Sequence, residues 1–378
     1  MKLRVGYGLS GNQTSRYSSL ARLTTRASYV FGDGGATAFG QELTSLSNAN
    51  LKWEKTTGLN IGLDFAMLNN RLKGTIDAYK NITNDLLFNL AIPYLTGFDV
   101  ISGNVGKLEN KGLEISLTGD IIRNNNFQWI STINFSTNRN KVLELTGEDE
   151  NNDGVEDDLI TSGLFIGQPL SAIYNYEANG IYQLGEANIP AGYYPGTYRI
   201  IDQNGDGSVT PASDRKILGN TDPAYRVSLL NTFTYKQISL NVFLNSIQGG
   251  KDGYLGGNSN PLYKGSDAIL RNYISGIDHW SPTNPNGENA MSLVNPTITP
   301  QIYKDRSFIR LQDISLSYKF DKSIIEKLAL SDLNIFVSAK NLMTWTKWKG
   351  WDPETGQGMT SGGRPVLKGY SLGINLSF

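Results

Sequence analysis

Apolar and polar side chains alternate strictly at the end of the chain. From Tyr370 to Phe378 every second residue is apolar, and the residues between them are serine, glycine or asparagine. A period of two residues predicts a β-strand whose two faces meet different surroundings. Because neither row carries a charge, we predict that this strand separates an apolar medium from a polar one.

The same alternation recurs along the chain in segments that form hairpins. Short polar turns, such as those at 69–70 and 124–126, join the segments in pairs, whereas long polar segments join one pair to the next. This pattern predicts about ten to twelve antiparallel strands. The alternating segments begin near Leu3, Thr57, Leu72, Leu113, Phe127, Tyr225, Ile238, Ile314, Leu333 and Tyr370, and the long connections are 11–50, 84–110, 146–224, 249–305 and 344–366.

The regular alternation of short and long connections favours an all-β fold, a transmembrane antiparallel β-barrel. Bacterial outer-membrane barrels have short turns on the periplasmic side and long loops outside, whereas soluble sandwiches have similar turns at both ends. The last strand, residues 367–378, would rise about 28 Å when tilted by about 40°, close to the roughly 25 Å apolar band of such a barrel. The alternatives are a soluble or surface β-rich module that binds glycans or adheres, and a small passive porin.

Charge and rare residue types argue against several functions. The 34 basic and 35 acidic residues nearly cancel, so no nucleic acid partner is expected. The chain has no cysteine, and its single histidine, His279, is interpreted as loop packing beside Trp280. A cysteine nucleophile is therefore excluded, and a Ser-His-Asp arrangement is disfavoured. We predict that the chain is not an enzyme.

The strand pattern starts directly after Met1, with no charged and apolar leader before it. An outer-membrane barrel must be exported. The expectation is therefore that this sequence is the C-terminal part of something longer, whether processed, split or truncated.

Several motifs occur in one order along nearly the whole chain. They are Asn50-Leu-Lys-Trp-Glu-Lys-Thr, Gly62-Leu-Asp-Phe, Asn69-Asn-Arg-Leu, Asn104-Val-Gly-Lys-Leu-Glu-Asn-Lys-Gly-Leu-Glu, Gly167-Gln-Pro-Leu, Asp202-Gln-Asn-Gly-Asp-Gly, Phe308-Ile-Arg-Leu-Gln-Asp-Ile-Ser-Leu-Ser-Tyr, Lys340-Asn-Leu and Gly350-Trp-Asp-Pro-Glu. With these motifs the chain resembles the C-terminal half of the SusC/RagA family of TonB-dependent outer-membrane transporters. The terminal phenylalanine also resembles the assembly signal of outer-membrane barrels, which here would involve Tyr370 and Phe378.

The resemblance implies a location and partners. Residues 1–378 would form the later half of a barrel of about 22 strands in the bacterial outer membrane, surrounded by lipid. The earlier strands and the plug would be supplied from outside this sequence. A SusD-like surface lipoprotein and the TonB complex would be partners in the uptake of oligosaccharides or peptides.

One loop has the spacing of a calcium site. Asp202, Asn204 and Asp206 alternate before Gly207, as in loops whose oxygen atoms surround Ca²⁺. Ser208 and Asp214 complete the candidate ligand set, although Asp214 follows the twelfth position by one residue and no flanking helices are predicted. The alternative is an Asp/Asn/Gly turn in an extracellular loop. No other cofactor is predicted.

Aromatic residues of the long connections are candidates for contacts with ligand or partner. Tyr193, Tyr194 and Trp280 lie in such connections, where they would touch a ligand or pack the loops together. Three tryptophans, Trp345, Trp348 and Trp351, follow an outward-running strand and are predicted to form either the outer aromatic girdle or a sugar-stacking platform.

Overall fold

The computed structural model describes residues 1–13, 17–30, 37–150, 152–253, 278–291, 296–326, 330–350, 352–355 and 366–378. Twenty strands, one short α-helix and two single-turn 3-10 helices, Tyr94–Thr96 and Ile160–Ser162, are defined in this part of the chain. The first ten strands are β1 (Lys2–Asn12), β2 (Arg22–Val30), β3 (Thr37–Ser45), β4 (Glu54–Met67), β5 (Leu72–Asn84), β6 (Leu87–Ala91), β7 (Val100–Asn104), β8 (Lys107–Arg123), β9 (Phe127–Glu144) and β10 (Ala172–Tyr176). The others are β11 (Ala178–Ile181), β12 (Tyr198–Ile200), β13 (Arg215–Asn220), β14 (Tyr225–Tyr235), β15 (Ile238–Gln248), β16 (Lys251–Gly253), β17 (Tyr303–Asp305), β18 (Phe308–Lys319), β19 (Asp332–Thr346) and β20 (Gly369–Ser377), with helix α1 (Lys322–Ile325) between β18 and β19.

Ten long strands form one antiparallel sheet in the order β1-β4-β5-β8-β9-β14-β15-β18-β19-β20. Each strand pairs with the previous and the next long strand of the chain, as in an up-and-down barrel wall. Within the described residues β1 pairs only with β4 and β20 only with β19, so the sheet has two open edges. The predicted all-β antiparallel fold, with ten wall strands, is confirmed.

The short turns lie at one end of this sheet. At the first of them Leu68, Asn69 and Asn70 all have positive φ, and at the third Lys236 does. At the second, the Asn124 side chain accepts hydrogen bonds from the backbone N–H groups of Asn126 and Phe127. These local turns fix the register of each hairpin.

The two faces of the sheet differ in polarity, and the apolar side chains of neighbouring strands are aligned on the same face. Across the first six wall strands, one cross-strand row contains only apolar side chains: Leu3, Leu63, Ile76, Ile115, Phe135 and Val227. The apolar face is also solvent-exposed at many positions, for example Leu372 at 74% and Val337 at 55%. An exposed apolar face of this size is typical of a surface that contacts lipid.

The buried core lies outside the sheet, among the long connections. These connections contain small two-stranded sheets, β2–β3, β6–β7, β10–β13, β11–β12 and β16–β17, where the sequence suggested mostly irregular structure. One buried cluster joins three connections through Ile181, Tyr198, Trp280, Ala290 and Trp348, and we call it the loop core. A second cluster packs 159–166 against the ends of β8 and β9. Connections of this length can therefore bury apolar side chains of their own.

No helix among the described residues is long and apolar enough to cross a membrane.

Candidate functional site

The polar face of the sheet carries an ordered row of charges. Arg4, Asp77, Glu114 and Arg226 lie in one cross-strand row, with Gly62 between the first two and Ser136 between the last two. The register places this charged row one residue from the apolar row described above, and therefore on the opposite face.

Only one end of the charged row is paired internally. Arg4 donates to Asp64 and to Asp77, with Nη2–O distances of 2.9 Å and 2.8 Å. Glu114 and Arg226 are both exposed, and the side chain of neither forms a hydrogen bond or ion pair within the described residues. The row therefore contains one carboxylate and one guanidinium without a partner among the described residues.

Two neighbouring recesses share the residues of this row. One has a volume of about 320 Å³ and is lined by Tyr79 and Asn138, and the other has a volume of about 400 Å³ and is lined by Asn134 and Asn245. Glu114, Ser136 and Arg226 line both recesses. A polar groove therefore runs along β8, β9 and β14, close to the long connections.

The loop core contains two of the aromatic residues that the sequence singled out. Trp280 is 2% exposed, and its indole N–H donates to Gln183 Oε1 at 2.8 Å. Trp348 is 5% exposed and lies in the same cluster, so it belongs neither to an outer girdle nor to an open stacking platform. Their burial favours the loop-packing alternative. His279 packs there too, with Nδ1 2.8 Å from the carbonyl oxygen of Ala290.

Tyr193 and Tyr194 are half-buried beside the loop core. The Tyr193 ring lies 6.2 Å from the Tyr182 ring, and burial raises the pKa of the Tyr193 hydroxyl. The backbone of Tyr194 closes a turn with Thr197, whose hydroxyl donates to the Tyr194 carbonyl oxygen at 2.8 Å. Contact of these tyrosines with ligand or partner stays a prediction.

A buried arginine ties the connection after β19 to the sheet. Arg310 on β18 donates to Asp352 Oδ1 at 2.8 Å, to Glu354 Oε2 at 2.5 Å and to the Thr344 hydroxyl at 3.0 Å. The side chains of Arg310 and Asp352 are each 3% exposed. Arg306 adds hydrogen bonds to the carbonyl oxygens of Pro353 and Glu354. We call these six residues the arginine anchor.

A second ionic contact joins two long connections. Glu288 lies 2.8 Å from Lys304 Nζ and 2.5 Å from Lys349 Nζ. These two ammonium groups, Lys304 first, hold the pKa of the Glu288 carboxyl below its ordinary value. The pair places Lys349, one residue after Trp348, beside the 278–291 segment.

The predicted calcium loop is held by its own hydrogen bonds. Asp202 accepts the backbone N–H groups of Gly205 and Gly207 at 2.7 Å and 2.8 Å, and Asp206 accepts that of Ser208 at 2.8 Å. Asn204 donates to Asp206 Oδ2 at 2.8 Å. Among the described residues, no group of three or more acidic or histidine side chains has the arrangement of a metal site. Calcium binding stays a prediction.

Asp214 closes the same loop from its far end. It is fully buried and accepts the backbone N–H groups of Thr210 at 2.7 Å and Gln203 at 2.8 Å, with the Ser213 hydroxyl at 3.0 Å. These donors, the Thr210 N–H first, lower the pKa of the Asp214 carboxyl from its ordinary value of 3.8. Asp214 therefore reaches the loop despite following the twelfth position.

The terminal strand has the two faces that its sequence predicts. Tyr370 is 72% exposed and Phe378 93% exposed, while Trp345 on β19 is 50% exposed on the same apolar face. The role of Tyr370 and Phe378 in assembly stays a prediction. Trp351 lies outside the described residues.

Sequence reasoning did not find the charged row or the arginine anchor. The residues of the row are far apart in sequence and meet only through five strand pairings. For the anchor a signal was present, since Asp352 and Glu354 flank a proline just after an outward strand.

Comparison with known proteins places this wall in a family. The family model described as TonB dependent receptor-like, beta-barrel matches residues 2–342. TonB-dependent receptor P3 of Formosa agariphila is 33% identical over 402 residues, covering 100% of this chain and 39% of that protein. TonB-dependent receptor SusC of Bacteroides thetaiotaomicron is 28% identical over 390 residues, covering 100% of this chain and 37% of that protein.

A solved structure has the same fold. The structure of the RagAB peptide transporter superposes with a TM-score of 0.76 at 25% identity, over 100% of this chain and 40% of that one. The chain thus spans about two fifths of the length of the relatives that it matches.

Proposed function

Since this chain belongs to the TonB dependent receptor-like β-barrel family, whose members are outer-membrane proteins, we propose that it forms part of the wall of an active transporter. The cargo would be oligosaccharides or peptides. The observation that carries the proposal is the continuous apolar row on one face of the sheet and the charged row on the other. A barrel wall needs this division, because one face meets lipid and the other lines the lumen.

The open edges support a wall that continues beyond these strands. The unpaired N–H and C=O groups of β1 and β20 would each cost several kcal/mol in hydrocarbon. We propose that strands corresponding to the rest of the relatives' length pair with these edges and enclose a plug. The expected barrel has about 22 strands.

The partners follow from the relatives and from the loop layer. We propose that the long connections 11–50, 84–110, 146–224, 249–305 and 344–366 face the cell exterior, where a SusD-like lipoprotein would cover them. Two relatives are named TonB-dependent receptors, and this supports coupling of the transporter to the TonB complex. The similarity to the RagAB peptide transporter supports peptides as cargo. Any calcium at 202–214 would be structural, and no enzymatic step is proposed.

Substitution on the two faces of β20 tests the orientation of the wall. Leu372 lies on the apolar face, and its neighbour Ser371 on the polar face. Arginine at a lipid-facing midplane position costs about 2–4 kcal/mol, whereas arginine in the lumen costs much less. Leu372→Arg is therefore expected to lower the unfolding free energy in lipid vesicles by about 2–4 kcal/mol, with Ser371→Arg as the matched control. Equal losses in a denaturant titration would refute the assignment of faces.

A further inference from the structure

The charged row contains an arrangement that costs stability within the sheet. Asp77 and Glu114 lie directly opposite each other on β5 and β8. Like charges in directly opposed positions are destabilising. Arg4 neutralises Asp77 but does not pair with Glu114. On the other side Ser136 separates Glu114 from Arg226, which also lacks an ion pair within the described residues. Internal pairing therefore leaves one charge of each sign open to the groove.

The spacing of these two charges fits a small molecule with charged ends. Glu114 and Arg226 are two strand spacings apart, which is about 10 Å between backbones. An extended peptide spans about 3.3–3.6 Å per residue, so the ends of a tripeptide are about 10 Å apart. A terminal ammonium would meet Glu114, and a terminal carboxylate would meet the planar guanidinium of Arg226 with two parallel hydrogen bonds.

The groove also provides hydrogen-bonding groups for the middle of such a ligand. Asn138 accepts the Tyr79 hydroxyl at 3.0 Å through Oδ1, and in the described structure its NH₂ group has no partner. The Asn245 side chain, on the wall of the second recess, likewise has none there. Both amides can donate to peptide carbonyl groups. The Tyr79 ring lies over Gly112, where an added Cβ would be 2.4 Å from its hydroxyl.

We propose that Glu114 and Arg226 bind the ammonium and carboxylate ends of a short unblocked peptide. The inference rests on the proposed transport function and narrows its cargo from oligosaccharides or peptides to zwitterionic oligopeptides of about two to four residues. A neutral oligosaccharide has no charge for either group, so covering them would cost desolvation free energy without an ion pair.

Binding of end-blocked peptides to charge-neutral variants tests the proposal. The complete transporter, in detergent micelles, is titrated calorimetrically with trialanine, N-acetyl-trialanine, trialanine amide and maltotriose. Wild type is expected to bind trialanine and to lose about ten- to a hundredfold in affinity when either end is blocked, as expected for one charge-assisted hydrogen-bonded contact. In Glu114→Gln, acetylation is expected to have no further effect, and in Arg226→Gln, amidation is expected to have none.

Two further variants separate ligand contact from a general change of the lumen. Lys73→Gln removes another exposed cation of the polar face, two rows away and without a partner among the described residues, and is expected to leave trialanine affinity unchanged. The exchange of both charges, Glu114→Arg with Arg226→Glu, is expected to restore binding above that of either single charge reversal, because the ligand can reverse its direction.

Three results would overturn the proposal: no trialanine binding by folded wild type, tighter binding of maltotriose, or an acetylation effect that is equal in wild type and Glu114→Gln. None of them would bear on the wall itself, because the Leu372 and Ser371 variants test its orientation without any ligand. Failure of the site and failure of the transporter assignment are therefore distinguishable.

Discussion

Replacement of Arg310 by methionine is expected to release the connection after β19 from the wall. Arg310 and Asp352 are each 3% exposed in their side chains, and they pair at 2.8 Å. Removing one partner of a buried pair costs about 3–5 kcal/mol, because the other charge stays buried and uncompensated. The cost is larger than that of a surface ion pair, which is about 0–1 kcal/mol.

This free energy predicts a local effect of known size. At about 1.4 kcal/mol per factor of ten, a loss of about 3–5 kcal/mol raises the opening equilibrium of the segment by a factor of about 10² to 4 × 10³. Arg306 still holds the carbonyl oxygens of Pro353 and Glu354, so the segment stays near the wall when it opens. Trp348 lies in the loop core, so the opening is expected to extend to the 278–291 segment that contains Trp280.

Hydrogen exchange followed by mass spectrometry measures the opening directly. Peptides covering 346–355 and 278–291 should exchange faster in Arg310→Met, whereas the turn at 124–126, at the other end of the wall, should be unchanged. Lys319→Met is the matched control, because it removes a cation from the same strand whose pair with Asp332 is 66% and 40% exposed.

The double variant Arg310→Met with Asp352→Leu distinguishes a lost ion pair from lost packing. An apolar pair of similar volume often replaces a buried ion pair without loss of stability. Exchange in the double variant should therefore return to within about tenfold of wild type, since Glu354 is 40% exposed and remains hydrated. Unchanged exchange in Arg310→Met, or faster exchange in the double variant than in the single one, would refute this reasoning.

Three further predictions concern the loops. Because the folded pKa of Asp214 is lowered, its contribution to loop stability is present at neutral pH and is lost as pH falls below about 3.8. A spin label attached at Ser208→Cys, in a chain without cysteine, should become mobile in acid. The variant Asp214→Asn should remove that pH dependence. The calcium hypothesis predicts that Ca²⁺ raises the melting temperature and that Asp206→Asn abolishes the effect, whereas no calorimetric binding and unchanged melting in chelator would leave only the turn. Trp280→Ala should cost about 3–5 kcal/mol locally and speed exchange around Trp348 but not in β14.

The wall strands could be predicted because two solvents act on them along their whole length. Lipid on one side and a polar lumen on the other select residues with a strict period of two, as from Leu59 to Met67 on β4. The predicted strands are too short at the ends where this selection stops. β8 begins at Lys107 and β9 extends to Glu144, at polar ends for which the alternation gives no signal.

The loop core could not be predicted in this way. Ile181, Trp280 and Trp348 stand singly in long polar segments, so no periodicity links them. The sequence showed that aromatic side chains were present there, but not whether they face a ligand or each other. Their burial depends on three connections meeting in space, and sequence spacing contains no information about such a meeting.

The charged row is even harder to predict from the sequence than the loop core, because it depends on the register of several strand pairings. Arg4 and Arg226 share a row only because five successive pairings each keep their register. A shift of one residue in any pairing would move every later side chain to the opposite face. The apolar row prevents such a shift, since it would place Ile115 or Phe135 in the polar lumen and a charge in lipid. The apolar face thus fixes the position of Glu114 relative to Arg226 through the register of the strands. In this wall the pattern of the apolar face therefore determines the relative positions of the charged groups on the polar face.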